Sequence, residues 1–168
     1  FLGTCSNYVC DLRAGDEVMI LHRRSLQLIA EQGVVLADET SLPVQAKKKC
    51  KRGFVWTFSA RMQVGDDDGR VLIAHRYSKD RSGRTPSEIL GGTTGVLVVD
   101  GYTGYNAVSQ VDGRTRAACL AHVRRKFFDA RSGFEQAADE ALRLILDVYR
   151  VEHDAMEQGI VRTAQHAE

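Results

Sequence analysis

Two short apolar runs, at residues 34–37 and 96–99, constrain the fold of this chain most strongly. Each consists of aliphatic side chains without polar alternation and is too short for a stable helix, which is typical of a buried strand. A buried strand has to be covered by other elements of the fold. The chain therefore needs a sheet that has further elements packed on it.

The rest of the sequence predicts those elements. Residues 53–60 and 71–77 show strand patterns on either side of a turn at 65–69, which predicts a β-hairpin. Helices are predicted at 22–32, from an N-cap at Thr85 to about residue 90, at 122–131 and from 134 toward 159, with a helical turn at 102–109 and a short strand at 116–120. This order predicts an α/β fold, a mixed sheet with flanking helices.

Composition excludes several classes of protein. The 168 residues are 43% hydrophobic and 27% charged, which is unlike a disordered tail. We find no apolar stretch long enough for a membrane helix and no signal-peptide pattern near the start. Of the four cysteines only Cys5 and Cys10 lie close together, so we expect reduced thiols and no zinc set, in a cytoplasmic protein without a membrane partner.

The net charge of +1 conceals a polarised distribution. Residues 40–85 are strongly basic, whereas residues 134–168 are acidic. The basic segment includes the cluster Lys47, Lys48, Lys49, Lys51 and Arg52. Such a cluster favours a local anionic partner, and a solvated lysine-rich loop is the alternative.

Both apolar runs are followed by an aspartate, Asp38 and Asp100. If the two strands are parallel neighbours, the carboxylates meet at one edge of the sheet. Two adjacent carboxylates repel each other, and a bound divalent cation such as Mg²⁺ relieves that repulsion. Two metal ions are a common device for attack at a phosphodiester. The alternative is that each aspartate caps the turn that follows it.

Five motifs of the chain resemble the central domain of bacterial insertion-sequence transposases, closest to the insertion-sequence-66 type of the DDE class. In order they are ADET at 37–40, RGFVW at 52–56, RSG at 81–83, VDGYTGYN at 99–106 and CLAHVRRKFF at 119–128. The resemblance covers residues 22–168, and residues 1–20 do not share it. They are either a divergent end or a stretch translated out of frame.

The resemblance implies an RNase H-like fold in which the two aspartate-bearing strands are parallel neighbours. It implies that Asp38 and Asp100 are the first two acids of a metal-binding triad. In the complete enzyme this triad would hold two Mg²⁺ or Mn²⁺ ions for DNA nicking and strand transfer. The implied partners are DNA, at the element ends and at the target, and further copies of the transposase, in the bacterial cytoplasm at the nucleoid.

The third acid of the family, a glutamate in an Asn-Asn-Ala-Ala-Glu-Arg-like stretch, has no counterpart in this sequence. The glutamates of the long helix are expected to form its solvated face: Glu135, Glu140, Glu152 and Glu157. We therefore expect a truncated domain that is inactive alone. The alternative is an inactive remnant that binds DNA or an intact transposase. Another RNase H-like nuclease is a third hypothesis, which the order of the motifs disfavours.

Three further sets of residues are candidates for the site. His122 could donate to the scissile phosphate, or it could form a zinc pair with Cys119 or have only a structural role. Arg124, Arg125 and Lys126 could face the same DNA strand as the lysine cluster. Glu39, beside Asp38, is interpreted as a support for that residue or as a solvated side chain.

We accordingly predict three segments in the chain. Residues 1–21 are unassigned. Residues 22–133 form an RNase H-like catalytic core that lacks the third acid, and residues 134–168 form a long helical segment, truncated at the C-terminus.

Overall fold

A computed structural model describes residues 5–45, 49–62, 70–109 and 113–160, with side chains from residue 18 onward. The elements are α1 (Cys5–Ala30), β1 (Val34–Gln45), β2 (Cys50–Arg61), β3 (Val71–Ser78), α2 (Arg84–Leu90), β4 (Val96–Val99), a 3₁₀ helix (Thr103–Val108), β5 (Thr115–Ala118), α3 (Leu120–Ala130) and α4 (Glu135–Glu157). They form two compact units, which divide between Ala117 and Ala118.

The first unit contains a five-stranded mixed sheet in the order β3-β2-β1-β4-β5. β1 is antiparallel to β2, and β2 to β3, whereas β1 is parallel to β4. The predicted α/β class, with a hairpin and parallel strands beside flanking helices, is confirmed. This architecture is consistent with an RNase H-like fold.

β1 differs from its prediction in length. It extends to Gln45, well beyond the apolar run, because its second half pairs with β2. Pro43 is paired with Arg52 in this half. The described ladder between β1 and β4 ends at Leu36, so no described strand pairs with this edge of β1 at Pro43. A proline, which lacks a backbone N–H, is tolerated at such an edge.

One face of the sheet forms the core of the first unit. Strand residues that alternate along β1, β2 and β4 are buried there, with Trp56 and Phe58 fully enclosed. α1 covers this face with Leu26, Ile29 and Ala30. The opposite face is more open than predicted, since Val34 is 51% and Leu36 47% exposed. The prediction of a buried strand at residues 34–37 therefore holds only for the face that carries Val35 and Ala37.

α1 begins at Cys5, although the sequence predicted a helix only from residue 22. Regular apolar spacing is found near Leu26 and Ile29, which pack on the core, so periodicity revealed that part of the helix. α2 also begins differently. Gly83, not Thr85, occupies its N-cap position, and Thr85 is buried in the first turn.

In the second unit α3 packs against α4. These helices correspond to the two predicted at residues 122–131 and from 134 toward 159. Ala138, Ile145 and Ala155 form the buried stripe of α4. The helix ends two residues before Gly159, whose φ of 67° suits the left-handed residue that commonly follows a helix. Within the described ranges, no helix is long and apolar enough to cross a membrane.

Candidate functional site

Asp38 and Asp100 occupy matching positions on adjacent parallel strands. The ladder between β1 and β4 runs in register through Leu36 and Val98. Asp38 lies two residues farther along β1, and Asp100 lies two residues farther along the chain, directly after the end of β4 at Val99. Two residues is one full side-chain period, so both carboxylates belong to the face of the sheet that carries Leu36 and Val98. The parallel pairing of the two strands, which could only be assumed from the sequence, is thus present.

Each aspartate also makes a local hydrogen bond. The backbone N–H of Glu39 donates to Asp38 Oδ1 at 2.9 Å, and that of Tyr102 donates to Asp100 Oδ1 at 2.9 Å. The turn-capping alternative therefore describes a real contact of Asp100. It does not exclude a metal role, because a carboxylate has two oxygens and can accept several bonds.

Arg116, in β5, holds the turn that follows Asp100. Its Nη2 donates to the carbonyl oxygens of Asp100 and Tyr102 at 2.6 and 2.8 Å, and its Nη1 donates to Asn106 Oδ1 at 2.7 Å. Sequence reasoning missed Arg116, since nothing in a four-residue strand indicates which backbone carbonyls its side chains will reach. The guanidinium makes this turn a defined support for the Asp100 carboxylate.

Glu39 is not a solvated side chain. Its side chain is 1% exposed and lies toward the core face, opposite to that of Asp38. Arg81 donates to Oε1 from Nε, at 2.7 Å, and from Nη2, while the hydroxyl of Tyr105 donates to Oε2 at 2.6 Å. Both oxygens of Glu39 are therefore used inside the protein. The interpretation of Glu39 as a support for Asp38 fits these contacts.

Three aromatic rings enclose this group. Trp56 lies 5.7 Å from Tyr105 and 6.5 Å from Tyr102 between ring centroids, and the two tyrosines lie 6.1 Å apart. The guanidinium carbon of Arg81 is 4.1 Å from the Tyr102 ring centroid, a cation–π distance. Glu39 comes from the ADET motif, Trp56 from RGFVW, Arg81 from RSG and both tyrosines from VDGYTGYN, so the structure brings four of the five motifs together.

Burial raises the pKa of Tyr105 far above its ordinary value, and its hydrogen bond to Glu39 adds to the effect. The charges of Asp38 and Asp100 act in the same direction. The hydrogen bond to Glu39 likewise raises the pKa of Arg81. Both shifts keep the protons on the donors, so the hydrogen bonds to Glu39 persist at neutral pH.

The lysine cluster lies farther along the hairpin. Lys49, Lys51 and Arg52 are exposed, while Lys47 and Lys48 lie outside the described residues. Arg52 pairs with Pro43, and Pro43 is five residues beyond Asp38, or about 17 Å along a strand. The cluster is therefore near Asp38 in sequence but separated from it by the second half of the ladder between β1 and β2.

The remaining predicted residues belong to the second unit. Arg124, Arg125 and Lys126 are exposed on α3, and His122 is half-buried in its first turns. Cys119 is a free thiol at the N-cap of that helix. The described part of the chain contains no group of three or more potential metal ligands, so the zinc interpretation of Cys119 and His122 gains no support. The α4 glutamates are exposed, as predicted: Glu135, Glu140, Glu152 and Glu157.

Comparison with known proteins identifies relatives. Two Sinorhizobium fredii proteins, named uncharacterized protein y4qI and uncharacterized protein y4jD, are 29% and 30% identical to this chain over 83% of its length. A third, uncharacterized protein y4hP, is 32% identical over 63%. The chain spans less than a third of the length of each, 28%, 29% and 20% respectively.

A sequence model of one family, described as Transposase IS66 family, matches residues 5–168. The match begins at the residue where α1 begins. It therefore includes most of the segment that we expected to lie outside the resemblance, and that expectation is wrong. Because the match covers nearly all of the sequence, this chain belongs to the IS66 transposase family.

Proposed function

We propose that the first unit carries the metal-binding part of a site for DNA cleavage and strand transfer, with Asp38 and Asp100 as ligands of a divalent cation. The observation that carries this proposal is the parallel, in-register pairing of β1 and β4, because Asp38 and Asp100 each follow the last ladder pair by two residues. Membership of a transposase family supplies the reaction class. The implied partners are DNA at the element ends and target and further copies of the transposase.

The residues fit a hard cation such as Mg²⁺. Mg²⁺ is bound through one or two carboxylates and completes its octahedron with water and phosphate oxygens. Asp38 and Asp100 offer this set of ligands, and both belong to the more open face of the sheet. When bound, such an ion lowers the pKa of a water or hydroxyl and so favours its attack on a phosphodiester.

The protein's own contribution is orientation and charge. Arg116 and the N–H of Tyr102 hold the turn and one oxygen of Asp100. The exposed cations Lys51 and Arg52 on the hairpin would neutralise backbone phosphates of DNA, independently of base sequence. The RSG and VDGYTGYN motifs thus build the support of the site, and the hairpin extends its DNA contacts.

A nicking assay on supercoiled DNA with Mg²⁺ or Mn²⁺ tests the proposal. Because the chain is expected to be inactive alone, we compare an extended chain of the length of its relatives with its Asp38→Asn and Asp100→Asn variants, and with Asp139→Asn on α4 as a control for loss of one charge. The expected result is metal-dependent nicking that both site variants abolish and the control retains. Equal nicking by all four proteins would overturn the assignment of Asp38 and Asp100.

A second candidate function is DNA binding without cleavage, as expected for an inactive remnant. It is favoured by one observation: the described residues bring no third carboxylate, histidine or cysteine into a ligand group with the two aspartates. This candidate predicts salt-dependent DNA binding and no nicking in either metal. Absence of DNA binding at low salt would exclude it.

A further inference from the structure

The buried carboxylate of Glu39 lies between the two segments that carry the aspartates. We propose that Glu39 is a positioning residue that, through Arg81 and Tyr102, fixes the Asp38 and Asp100 carboxylates relative to each other. The inference deepens the proposed function and rests on it for its chemical meaning. The contacts that carry it form an unbroken path from one aspartate to the other.

The path begins at Asp38. Glu39 is the next residue of β1, and its backbone N–H donates to Asp38 Oδ1 at 2.9 Å. Successive strand residues lie on opposite faces, so anchoring the Glu39 side chain in the interior fixes the outward direction of Asp38. A rotation of β1 about its own axis would break the contacts of Glu39 and turn Asp38 at the same time.

The path continues through Arg81. This side chain donates two hydrogen bonds to Glu39 Oε1 and lies 4.1 Å from the centroid of the Tyr102 ring. The Tyr102 hydroxyl donates in return to the backbone oxygen of Arg81. Tyr102 thus contacts both the backbone and the guanidinium of Arg81. These contacts hold the guanidinium between the Tyr102 ring and the Glu39 carboxylate.

The path ends at Asp100, because the backbone N–H of Tyr102 donates to Asp100 Oδ1. A second connection runs from Glu39 Oε2 to the Tyr105 hydroxyl, one turn farther along the same segment. Glu39 therefore links β1 to the chain after β4 through both of its oxygens. The described ladder between β1 and β4 ends at Leu36 and Val98. Beyond this last pair, the network holds the segment that carries Asp38 at a fixed distance from the segment that carries Asp100.

The test uses Glu39→Gln and Arg81→Gln in the full chain, with the exposed Glu88→Gln of α2 as the matched control. Mn²⁺ affinity is measured by electron paramagnetic resonance titration, and hydrogen exchange at the Tyr102 amide by NMR. We expect about tenfold weaker Mn²⁺ binding in both variants, the scale typical of residues that orient metal ligands. We also expect faster exchange of the Tyr102 amide, and no change in Glu88→Gln.

The double variant separates a network from two independent effects. If Glu39 and Arg81 act through one path, the double variant binds Mn²⁺ no more weakly than the worse single variant, whereas independent residues would multiply their effects. A simple loss of stability would change the exchange of amides throughout the first unit. If Glu39→Gln does not fold, Tyr105→Phe keeps the ring in the core, removes one bond to Glu39 and is expected to shift both readouts in the same direction.

Two results would overturn the inference: unchanged exchange at Tyr102 in folded Glu39→Gln, or independent effects in the double variant. Failure of the proposed function has a different signature, since the unsubstituted chain would then bind no Mn²⁺. In that case Tyr102 exchange still decides whether Glu39 holds the Asp100 turn.

Discussion

The guanidinium of Arg114 lies in the interior of the first unit, and this residue is 1% exposed. It donates to the carbonyl oxygens of Ala30, Gln32 and Val96 and to the hydroxyl of Thr93. Ala30 ends α1, where the last carbonyls of a helix have no partner of their own. Arg114 thus caps the C-terminus of α1 and joins it to the start of β4.

Replacing this side chain tests that role. We expect Arg114→Met to lower the free energy of unfolding by about 3 kcal/mol, because several buried acceptors lose their donor. Urea unfolding followed by circular dichroism measures the change. Arg84→Met, at an exposed position of α2, is the control, and a loss of equal size there would contradict the assigned role of Arg114.

Tyr105 gives a prediction about pH. Burial and Glu39 raise the pKa of Tyr105 in the folded state, so the unfolded chain releases this proton first, near pH 10. Above that pH the unfolded state binds fewer protons, and stability falls as pH rises. Below it the contribution of Tyr105 is fully present.

The measurement compares Tyr105→Phe with the original chain by urea unfolding at pH 8 and pH 11. The variant is expected to lose about 1 kcal/mol at pH 8 through its missing hydrogen bond and to show a smaller further loss at pH 11. Tyr77→Phe, at an exposed position of β3, should leave the pH dependence unchanged. The same alkaline loss in Tyr105→Phe as in the original chain would refute the prediction.

At the scale of elements, the turn before α2 packs directly on the 3₁₀ helix. A Cβ added at Gly83 would lie 2.3 Å from the backbone oxygen of Gly104, a distance that the two segments cannot accommodate without moving apart. These glycines come from the RSG and VDGYTGYN motifs. The presence of Gly83 follows from the close approach of its backbone to that of Gly104.

We therefore expect Gly83→Ala to destabilise the first unit by about 2 kcal/mol, as overpacking typically does. Thermal unfolding with circular dichroism detection measures it. The control is Gly101→Ala, since a Cβ at Gly101 meets nothing within 4 Å. If the two substitutions have equal effects, the close approach at Gly83 does not limit the packing of the turn.

The elements themselves were largely predictable, and the failures have a common cause. The hairpin, β4, the 3₁₀ helix and α4 follow from periodicity and turn residues, which are properties of neighbouring positions. The early start of α1 and the extension of β1 to Gln45 were missed, because neither shows an apolar pattern over its added length. Apolar patterns identify an element only where it packs on the core.

At the scale of the whole molecule, charge is concentrated rather than balanced. The basic segment of residues 40–85 includes the exposed hairpin cations Lys49, Lys51 and Arg52. If these contact DNA phosphates, binding releases counterions and becomes dependent on salt. The net charge of +1 does not reveal this, because most of the acidic residues belong to other segments.

Replacing those three cations by glutamine is expected to weaken DNA binding and to lower the slope of log K against log salt by about 0.9 for each phosphate that is no longer neutralised. Fluorescence anisotropy with a labelled duplex at several salt concentrations measures both. A matched variant neutralises three arginines of the second unit that form ion pairs with Asp139 or Asp147: Arg131, Arg143 and Arg150. Equal slopes for the two variants would show that the hairpin does not bind phosphates.

The candidate site was predictable in part. Asp38 and Asp100 were identified because each follows an apolar run, and the resemblance supplied their parallel arrangement. Glu39 was known as a neighbour but not as a buried one, and Arg81, Tyr105 and Arg116 were not identified as support. Their roles depend on contacts between residues far apart in the chain, such as Glu39 with Tyr105 at a separation of 66 residues.

By itself, the sequence determined the α/β class, most strands and helices, the two aspartates and the family, because these follow from local periodicity and from short motifs. The tertiary structure alone decided the register of the two strands that lead to the aspartates, the burial of Glu39 between Arg81 and Tyr105, and the hydrogen bond of Arg114 to the last residue of α1. The physical reason is distance along the chain. Propensity acts between neighbours, whereas strand register and buried hydrogen bonds arise only when distant segments pack together.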